Sequence, residues 1–337
     1  MPPDFKAMEA QIREQARKWL ESGEIKYFIG YEKGENSSIA RPVVVYRAED
    51  VEKLVWSPAC VNNLTRYVVD EMKIKPKKGQ ELDKTPIGVL VKPCDSKALV
   101  ELIKENIVPR ERVKIIGVTS DSSVDPKKLH SLLKQIPAAK RNAITITDEG
   151  DNFIVAYEGG KLQAPKAELE AGKCTVCITH KPVIADVFIG EPDIQFKPDD
   201  YLDIGELEAM SPEERWAYWK KQFSRCVRCY ACREACPLCY CEECVFDKVK
   251  PFSWNEKSVM LKENTYYHMV RAMHLAGRCI DCGECERVCP MEIPIRKLNR
   301  LLAKHAKEKF KVFPGINTED KTMFGDYDTN DPGEGIW

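Results

Sequence analysis

The chain contains one cysteine pattern twice: residues 226–237 read CVRCYACREACP, and residues 279–290 read CIDCGECERVCP. In each copy, two residues separate the first cysteine from the second, and two separate the second from the third. A fourth cysteine follows after three more residues, and a proline comes directly after it. Three thiolates at this spacing can each bind one iron from a single tight loop, whose backbone N–H groups also point at the cluster. The proline ends the loop and starts the next segment.

This spacing is the C-x2-C-x2-C-x3-C-P run of bacterial two-cluster ferredoxins, in which the fourth cysteine binds the other cluster. A zinc ribbon would need only four cysteines and would not repeat the run. We therefore predict two [4Fe–4S] clusters with exchanged ligands. The predicted ligands are Cys226, Cys229, Cys232 and Cys289 for cluster one, and Cys279, Cys282, Cys285 and Cys236 for cluster two.

Five further cysteines lie near these runs. Cys174 and Cys177 form a CTVC pair before the first run, and CPLCYCEEC places Cys239, Cys241 and Cys244 after it. We predict a third [4Fe–4S] cluster held by the CTVC pair with Cys241 and Cys244, where Cys239 could replace either of the last two. Zinc would suit the same thiolates, and a metal-free group is the other alternative. The neighbouring cubanes favour iron.

Composition excludes several classes of protein. The 337 residues carry 52 Lys+Arg against 53 Asp+Glu, so the basic footprint of a nucleic-acid binder is missing. No stretch approaches 18 consecutive apolar residues, so no membrane span is expected. The N-terminus has no apolar signal-peptide core, which predicts a cytoplasmic location. In a reducing cytosol, fifteen cysteines at short spacings indicate metal binding more than disulfides.

The first 200 residues are predicted to form an α/β domain. Residues 87–92 (IGVLVK) are a buried strand, Ser96 to Glu105 suit a helix with Asp95 or Ser96 as N-cap, and residues 113–118 (VKIIGV) are a strand. This βαβ unit implies a parallel pair of strands. The other predicted elements are a helix at 4–21 and strands at 43–45, 143–147 and 153–157.

Residues 211–312 are predicted to form an all-helical dicluster ferredoxin-like domain. The two runs are offset by 53 residues, from 226 to 279, which is about twice the repeat of a compact βαβ-type ferredoxin. Residues 258–276 and 293–307 have helical apolar spacing. Residues 313–337 are rich in Gly, Pro and Asp and predict an extended tail, either disordered or laid across a partner.

Residues 92–96 (KPCDS) could bind a cofactor. They lie where a buried strand ends and a helix begins, which is where open α/β sheets bind ligands. The candidate cofactor-binding residues are Lys92, Cys94, Asp95 and Ser96. The chain has no G-x-G-x-x-G and no Walker A loop. A tight turn with a buried cysteine and a helix cap therefore remains the alternative.

The whole layout resembles the β-subunit family of coenzyme F420 hydrogenases and formate dehydrogenases, from about residue 25 to about 300. The resemblance is carried by KPCDSKALVELIKENIVPRERVKIIGV, GKCTVCITHKPVIADVFIGE and RCVRCYACREACPLCYCEEC. The cysteine-rich part also resembles dicluster modules of fumarate reductase and heterodisulfide reductase subunits. The family resemblance implies that FAD mediates between a two-electron donor and the clusters, with Cys94 near the flavin. Asp95 stands where members that use F420 more often carry Gln, which counts against F420 as the donor.

The expected function is that of an iron–sulfur electron-transfer subunit in an anaerobic redox complex. The resemblance implies a formate dehydrogenase- or hydrogenase-linked complex whose other redox subunits include a heterodisulfide reductase-like partner. One alternative is a flavin-dependent catalytic subunit that oxidises reduced F420 or NADH. A second is a relay with clusters only. No Ser/His/Asp, paired-carboxylate or Cys/His site stands out, so whether this chain is itself an enzyme stays open.

Overall fold

The computed structural model describes residues 3–34, 38–76, 78–79, 81–190, 196–247, 258–323 and 325. The strands are β1 (Phe28–Glu32), β2 (Arg41–Val45), β3 (Ile87–Val91), β4 (Val113–Val118), β5 (Thr145–Glu149), β6 (Asn152–Tyr157), β7 (Gly160–Pro165) and β8 (Val187–Ile189). The α-helices are α1 (Phe5–Glu21), α2 (Thr65–Met72), α3 (Pro93–Lys104), α4 (Pro126–Leu133), α5 (Lys166–Leu169), α6 (Gly205–Ala209), α7 (Pro212–Ser224), α8 (Ala231–Glu234), α9 (Leu261–His274), α10 (Glu284–Arg287) and α11 (Ile295–Phe310).

A five-stranded mixed sheet with the order β2-β1-β3-β4-β8 organises the N-terminal part. Strands β1, β3, β4 and β8 run parallel, and β2 pairs antiparallel at one edge. Every residue of β3 is buried, as expected for a central parallel strand covered on both faces. The predicted β3-α3-β4 unit is confirmed, and α1, α2 and α3 pack against this sheet. Strands β1 and β8 belong to this sheet and were not predicted.

A second sheet of three antiparallel strands, β5-β6-β7, stands apart from the first. Strands β5 and β6 match the predicted strands at 143–147 and 153–157, shifted by up to two residues, whereas β7 was not predicted. Phe153 and Val155 of β6 are fully buried in a core that includes Leu129 and Leu133 of α4 and Leu169 of α5. This small layer therefore has a hydrophobic core of its own.

The cysteine-rich part is built from helices, as predicted. Helix α9 matches the helix predicted at 258–276, and α11 matches the one predicted at 293–307. No β-strands pair among the described residues after 196, and α9 packs against both α7 and α11. Phe223 of α7 stacks on His268 of α9 with ring centroids 4.8 Å apart. None of the helices in the described ranges is long and apolar enough to cross a bilayer.

The two parts of the chain share one hydrophobic core. Cys236, Leu238, Leu275 and Ile280 are buried in the same cluster as the residues of the main sheet. The division at about residue 200 therefore remains a prediction about sequence organisation, because apolar packing is continuous across it. This continuity brings the cysteine runs against the α/β part.

The beginning of the predicted tail packs on its own chain. The backbone N–H of Gly315 donates a hydrogen bond of 2.6 Å to the carboxylate of Glu101 on α3. Phe313 and Pro314 line a cavity beside the same helix. Residues 313–315 therefore pack on this chain instead of belonging to a disordered tail, and docking of the tail on a partner stays a prediction. Apart from Gly325, the predicted tail beyond residue 323 lies outside the described residues.

Candidate metal centres

The two cysteine runs fold into the same loop. Arg228 and Tyr230 of the first run have positive φ angles of 52° and 60°, and α8 begins directly after them. Asp281 and Gly283 occupy the equivalent positions of the second run, with φ angles of 59° and 70°, before α10. Left-handed residues at these positions turn backbone N–H groups toward the inside of the loop, as in anion-binding nests. The N–H of Arg228, for example, donates to the Sγ of Cys226 at 3.4 Å.

Two small cavities, each of about 20 Å³, collect the eight cysteines of the runs. The first is lined by Cys226, Cys229, Cys232 and Cys289, and the second by Cys279, Cys282, Cys285 and Cys236. Each cavity therefore takes three cysteines from one run and the fourth from the other. The structure brings together both predicted ligand sets.

The donor set of these cavities suits a cubane cluster. Each iron of a [4Fe–4S] cluster takes one thiolate, so the four sulfurs surround the cluster instead of meeting at one point. Across the described residues, no three His, Cys, Asp or Glu side chains lie close enough to hold a single metal ion. Soft thiolate ligands in sets of four are those that iron–sulfur clusters use.

Burial controls the protonation of the free thiols. It raises the pKa of Cys279 to about 11 and also raises the pKa of Cys226 and Cys285. Cys236 differs, because a hydrogen bond from the Cys239 thiol lowers the pKa of Cys236. Since metal-bound cysteine is a thiolate, loading of these sites must release protons and is expected to depend on pH.

The cavity predicted for cluster one has an aromatic wall. The hydroxyl of Tyr267 lies 3.4 Å from the Sγ of Cys232. His268 lines the same cavity, and neither of its ring nitrogens has a hydrogen-bond partner among the described residues. Burial lowers the pKa of His268 to about 3, so the imidazole is neutral at ordinary pH. A neutral, buried aromatic wall favours solvent exclusion around the predicted cluster.

Buried arginines hold the second run in place. Arg296 and Arg300 of α11 both donate to Asp281, at 2.8 and 3.1 Å. Arg300 also pairs with Asp199 at 2.7 Å and with Asp203 at 2.8 Å. Although burial opposes ionisation, the hydrogen bond and charge of Arg300 lower the pKa of Asp199. These ion pairs connect the cysteine loop to residues 199–203.

Within the predicted cofactor turn, helix α3 begins three residues earlier than expected. Helix α3 starts at Pro93, with Lys92 as N-cap, because proline suits the first helical position and the Asp95 carboxylate accepts the N–H of Lys92 at 3.0 Å. Ser96 therefore lies inside the helix. Its hydroxyl donates to the carbonyl of Pro93 at 2.8 Å and accepts the N–H of Val183 at 3.0 Å.

Lys92 and Asp95 form a buried ion pair. The Lys92 ammonium lies 3.0 Å from the Asp95 carboxylate and also donates to the Asn62 carbonyl at 2.6 Å and to the Tyr31 hydroxyl. Burial raises the pKa of Asp95, and the charge of Lys92 opposes that rise. Both side chains are thus used within the fold, and so is Ser96. Of the four candidate cofactor residues, Cys94 alone has no strong internal polar partner in the described part of the chain.

Cys94 lies beside the CTVC pair. A cavity of about 70 Å³ is lined by Cys94, Cys174, Cys177 and the cluster-two candidate ligand Cys279. The ammonium of Lys173 lies 3.9 Å from the Sγ of Cys94. The structure therefore brings the KPCDS turn, the CTVC pair and the second cysteine run to one place.

The group Cys239, Cys241 and Cys244 lines a different cavity, of about 470 Å³. Neither Cys174 nor Cys177 lines it. The four thiolates predicted for a third cluster are therefore not brought together. The physical reason is packing: the CTVC pair rests on the α/β part, whereas the chain after the first run turns toward α2 and the end of α9.

Two cations near the cysteine cavities were missed by sequence reasoning. Lys173 lies between Cys94 and the second run, where it lines a cavity together with Gly283. Arg271 of α9 lines the cavity of cluster two. Lys173 could have been noticed because it directly precedes Cys174, but Arg271 belongs to no motif. The burial of Arg271 depends on the packing of α9 against the cysteine runs.

Comparison with known proteins extends this description. Residues 85–204 match the family model for the C-terminal part of the coenzyme F420 hydrogenase/dehydrogenase β-subunit, and residues 222–293 match the model "4Fe-4S dicluster domain". A relative in Methanocaldococcus jannaschii, "F420-dependent formate dehydrogenase subunit beta", is 25% identical over 295 residues, covering 71% of this chain and 76% of that protein. "F420-dependent formate dehydrogenase 1 subunit beta" of Methanococcus maripaludis is 25% identical over 365 residues, covering 91% and 90%.

Among solved structures, a chain of the F420-reducing [NiFe] hydrogenase complex from Methanosarcina barkeri overlaps 66% of this chain and 89% of its own length. The overlap has 17% identity and a TM-score of 0.41.

Two ferredoxin-type cysteine loops on a helical scaffold, joined to a mixed α/β sheet, define an iron–sulfur protein of the dicluster class. More specifically, residues 85–204 are similar to the C-terminal part of the coenzyme F420 hydrogenase/dehydrogenase β-subunit, and residues 222–293 are similar to a 4Fe-4S dicluster domain. The resemblance predicted from sequence is confirmed.

Proposed function

We propose that this chain is an iron–sulfur electron-transfer subunit of a multi-subunit redox complex. Cluster one is held by Cys226, Cys229, Cys232 and Cys289, and cluster two by Cys279, Cys282, Cys285 and Cys236. The observation that carries the proposal is the exchange of the fourth cysteine between the two cavities. Each cubane accepts one electron at a time, and the protein sets its potential through hydrogen bonds, charge and solvent exclusion.

The surroundings of the two cavities suggest the two ends of the relay. Cys279 of cluster two also lines the cavity of Cys94, which faces the α/β part. Cys229 of cluster one is exposed, and the neighbouring Val227 is half exposed. We infer that cluster two communicates through the α/β part and that cluster one faces another redox subunit.

The names of the relatives support a formate dehydrogenase-linked complex. A hydrogenase-linked complex and a heterodisulfide reductase-like acceptor rest on the sequence resemblance alone. The balanced charge and the lack of a nucleic-acid footprint favour protein partners.

The KPCDS turn does not fit a flavin as it stands. Its cavity is about 70 Å³, whereas pockets for ligands of that size are about 300–1,000 Å³. Asp95 and Ser96 do not line this cavity, and the ammonium of Lys92, which does line it, is engaged by Asp95 and the Asn62 carbonyl. We therefore derive no flavin step, and we favour a relay that carries clusters without FAD at this turn. Anaerobic purification with assay of iron, sulfide and released flavin tests this directly.

Ligand exchange is tested with four alanine variants, purified anaerobically and examined by EPR after reduction. Cys226→Ala and Cys289→Ala should each lose cluster one and leave the same residual spectrum. Cys279→Ala and Cys236→Ala should each lose cluster two and leave the spectrum of cluster one. Cys60→Ala, at a buried cysteine away from both runs, should keep about eight irons. If the spectrum of Cys289→Ala matches that of Cys279→Ala instead, each run binds its own cluster and the proposal is wrong.

A further inference from the structure

Arg271 is a buried cation with an unusual environment. It lies on α9 and is 4% exposed. One guanidinium nitrogen donates to the carbonyl of Cys232, a cluster-one ligand, at 2.9 Å, while the side chain lines the cavity of cluster two. Its Nε has no hydrogen-bond partner among the residues that the structure describes. Arg271 thus contacts the surroundings of both predicted clusters.

Two other buried arginines of this region and the partly buried Arg278 are neutralised by carboxylates. Arg278 pairs with Glu105, Arg296 with Asp203 and Asp281, and Arg300 with three aspartates. Across the described residues, no carboxylate forms an ion pair with Arg271. A buried charge without a counter-charge is strongly unfavourable, so an anion is expected close to it.

Arg271 lines one cavity with Cys236 and Cys285 and another with Cys239. Cys239, Cys236, Cys285 and Cys232 all interact with its charge; burial opposes ionisation, yet these sulfurs raise the pKa of Arg271. Three of the four are proposed cluster ligands, and Cys239 hydrogen bonds to the ligand Cys236. A cubane with four thiolates carries net negative charge, which grows when the cluster is reduced. The clusters themselves supply the missing counter-charge.

We propose that Arg271 is the resident counter-charge of the cluster pair, and that it raises the reduction potential of cluster two by stabilising its reduced form. The proposal rests on the function and ligand sets inferred above. The fixed contact with the Cys232 carbonyl holds the guanidinium in position, so little reorganisation is needed when the electron arrives. Arg271 is therefore a positioning residue that acts through charge.

The test is an anaerobic redox titration followed by EPR on the iron-loaded chain. The signal that survives in Cys289→Ala identifies cluster two. In Arg271→Gln, the ratio of reduced to oxidised cluster two at the wild-type midpoint should fall about tenfold, which is about 59 mV for one electron. Arg271→Lys keeps the charge and should stay near the wild-type midpoint.

Arg233→Gln is the matched control. Arg233 lies within the first run, but it is paired with Glu234 and Asp247, both at 2.8 Å. Its removal should leave the midpoint unchanged. If Arg271→Gln keeps its iron and its midpoint equals that of the wild type, the proposal is overturned.

The lysine variant keeps the test decisive if Arg271→Gln loses iron. Retained clusters with a wild-type midpoint in Arg271→Lys support the role of charge. Loss of iron in both variants, or an equal shift in both, would show that the shape and hydrogen bond of arginine matter instead of its charge. A failure of the ligand proposal can be told apart, because it would appear in the EPR spectra of the cysteine-to-alanine variants.

Discussion

Glu105, directly after α3, and Arg278, directly before the ligand candidate Cys279, form a largely buried ion pair across the two parts of the chain. A guanidinium nitrogen of Arg278 lies 2.7 Å from a carboxylate oxygen of Glu105. The charge of Glu105 outweighs the cost of burial and raises the pKa of Arg278. The pair therefore fixes the start of the second cysteine run against the α/β part.

Glu105→Ala is expected to destabilise the protein by about 3–5 kcal/mol, because it leaves Arg278 buried without its partner. Anaerobic urea unfolding of the iron-loaded protein measures this. Glu24→Ala is the control, since Glu24 pairs with Lys114 at 3.0 Å but both side chains are well exposed. The expected cost of Glu24→Ala is much smaller than that of Glu105→Ala, because water and salt screen an exposed ion pair. Equal costs for the two variants would mean that the Glu105–Arg278 pair does not join the two parts.

Lys92→Met is predicted to lower stability by a similar amount, about 3–5 kcal/mol, because Asp95 would remain fully buried without a counter-charge. The double variant Lys92→Met/Asp95→Asn should recover much of this loss, since the amide oxygen of Asn can still accept the N–H of residue 92. The measurement is a double-mutant cycle of unfolding free energies. Additive effects would show that the two side chains are not coupled. A loss of bound flavin with unchanged stability would instead restore the cofactor interpretation of this turn.

Local spacing explains what could be predicted. The eight cysteine ligands could be predicted because each of the two runs fixes four ligand positions within twelve residues. The exchange of the fourth cysteine between the clusters follows from the same motif. The β3-α3-β4 unit could be predicted from the sequence because β3 is wholly apolar and α3 follows it directly. In contrast, β1 (FIGYE) contains a glycine and a polar end, and β8 has three residues. Such short or mixed strands give little signal.

Long-range packing explains what could not be predicted. Cys177 and Cys241 are only 64 positions apart in sequence, yet they line different cavities. Nothing in the spacing of C-x2-C pairs tells which pairs will meet. Arg271 looks like an ordinary polar residue of an amphipathic helix, and its burial depends on the packing of α9 against the cysteine runs. Helix α3 begins three residues before the predicted Ser96, because Pro93 suits the first helical position.

Gly315→Ala is expected to release the segment 313–323 from α3. Gly315 has a φ of +79°, and an added Cβ would lie 2.7 Å from the Cβ and 2.8 Å from the carbonyl oxygen of Lys97. Gly150 has a similar φ of +74°, with nothing within 4 Å of an added Cβ. Gly150→Ala therefore controls for backbone strain alone, about 1–2 kcal/mol. Hydrogen exchange of the 313–323 peptide should rise in Gly315→Ala only; a rise in neither variant would refute this docking.

Glu101, which accepts the N–H of Gly315, is predicted to make stability fall as pH rises. Burial raises its pKa above the ordinary 4.5, although the hydrogen bond and charge of Lys104 oppose that rise. The folded protein therefore keeps this proton at pH values where the unfolded chain has lost it. As pH rises from about 4.5 through the folded pKa, the unfolded state binds fewer protons than the folded state, and the free energy of unfolding decreases.

The difference in unfolding free energy between the wild type and Glu101→Gln isolates this contribution, measured from about pH 5 to about pH 7. As pH rises, the unfolding free energy of the wild type should decrease steadily relative to that of Glu101→Gln. Glu214→Gln is the control, because hydrogen bonds with Ser211 lower the pKa of the exposed Glu214. The stabilising contribution of ionised Glu214 is fully present above the ordinary carboxyl pKa. The difference between the wild type and Glu214→Gln should therefore not change with pH over this range. A flat difference for Glu101→Gln as well would mean that the carboxylate under the Gly315 N–H is already ionised, held by Lys104 more strongly than burial opposes it.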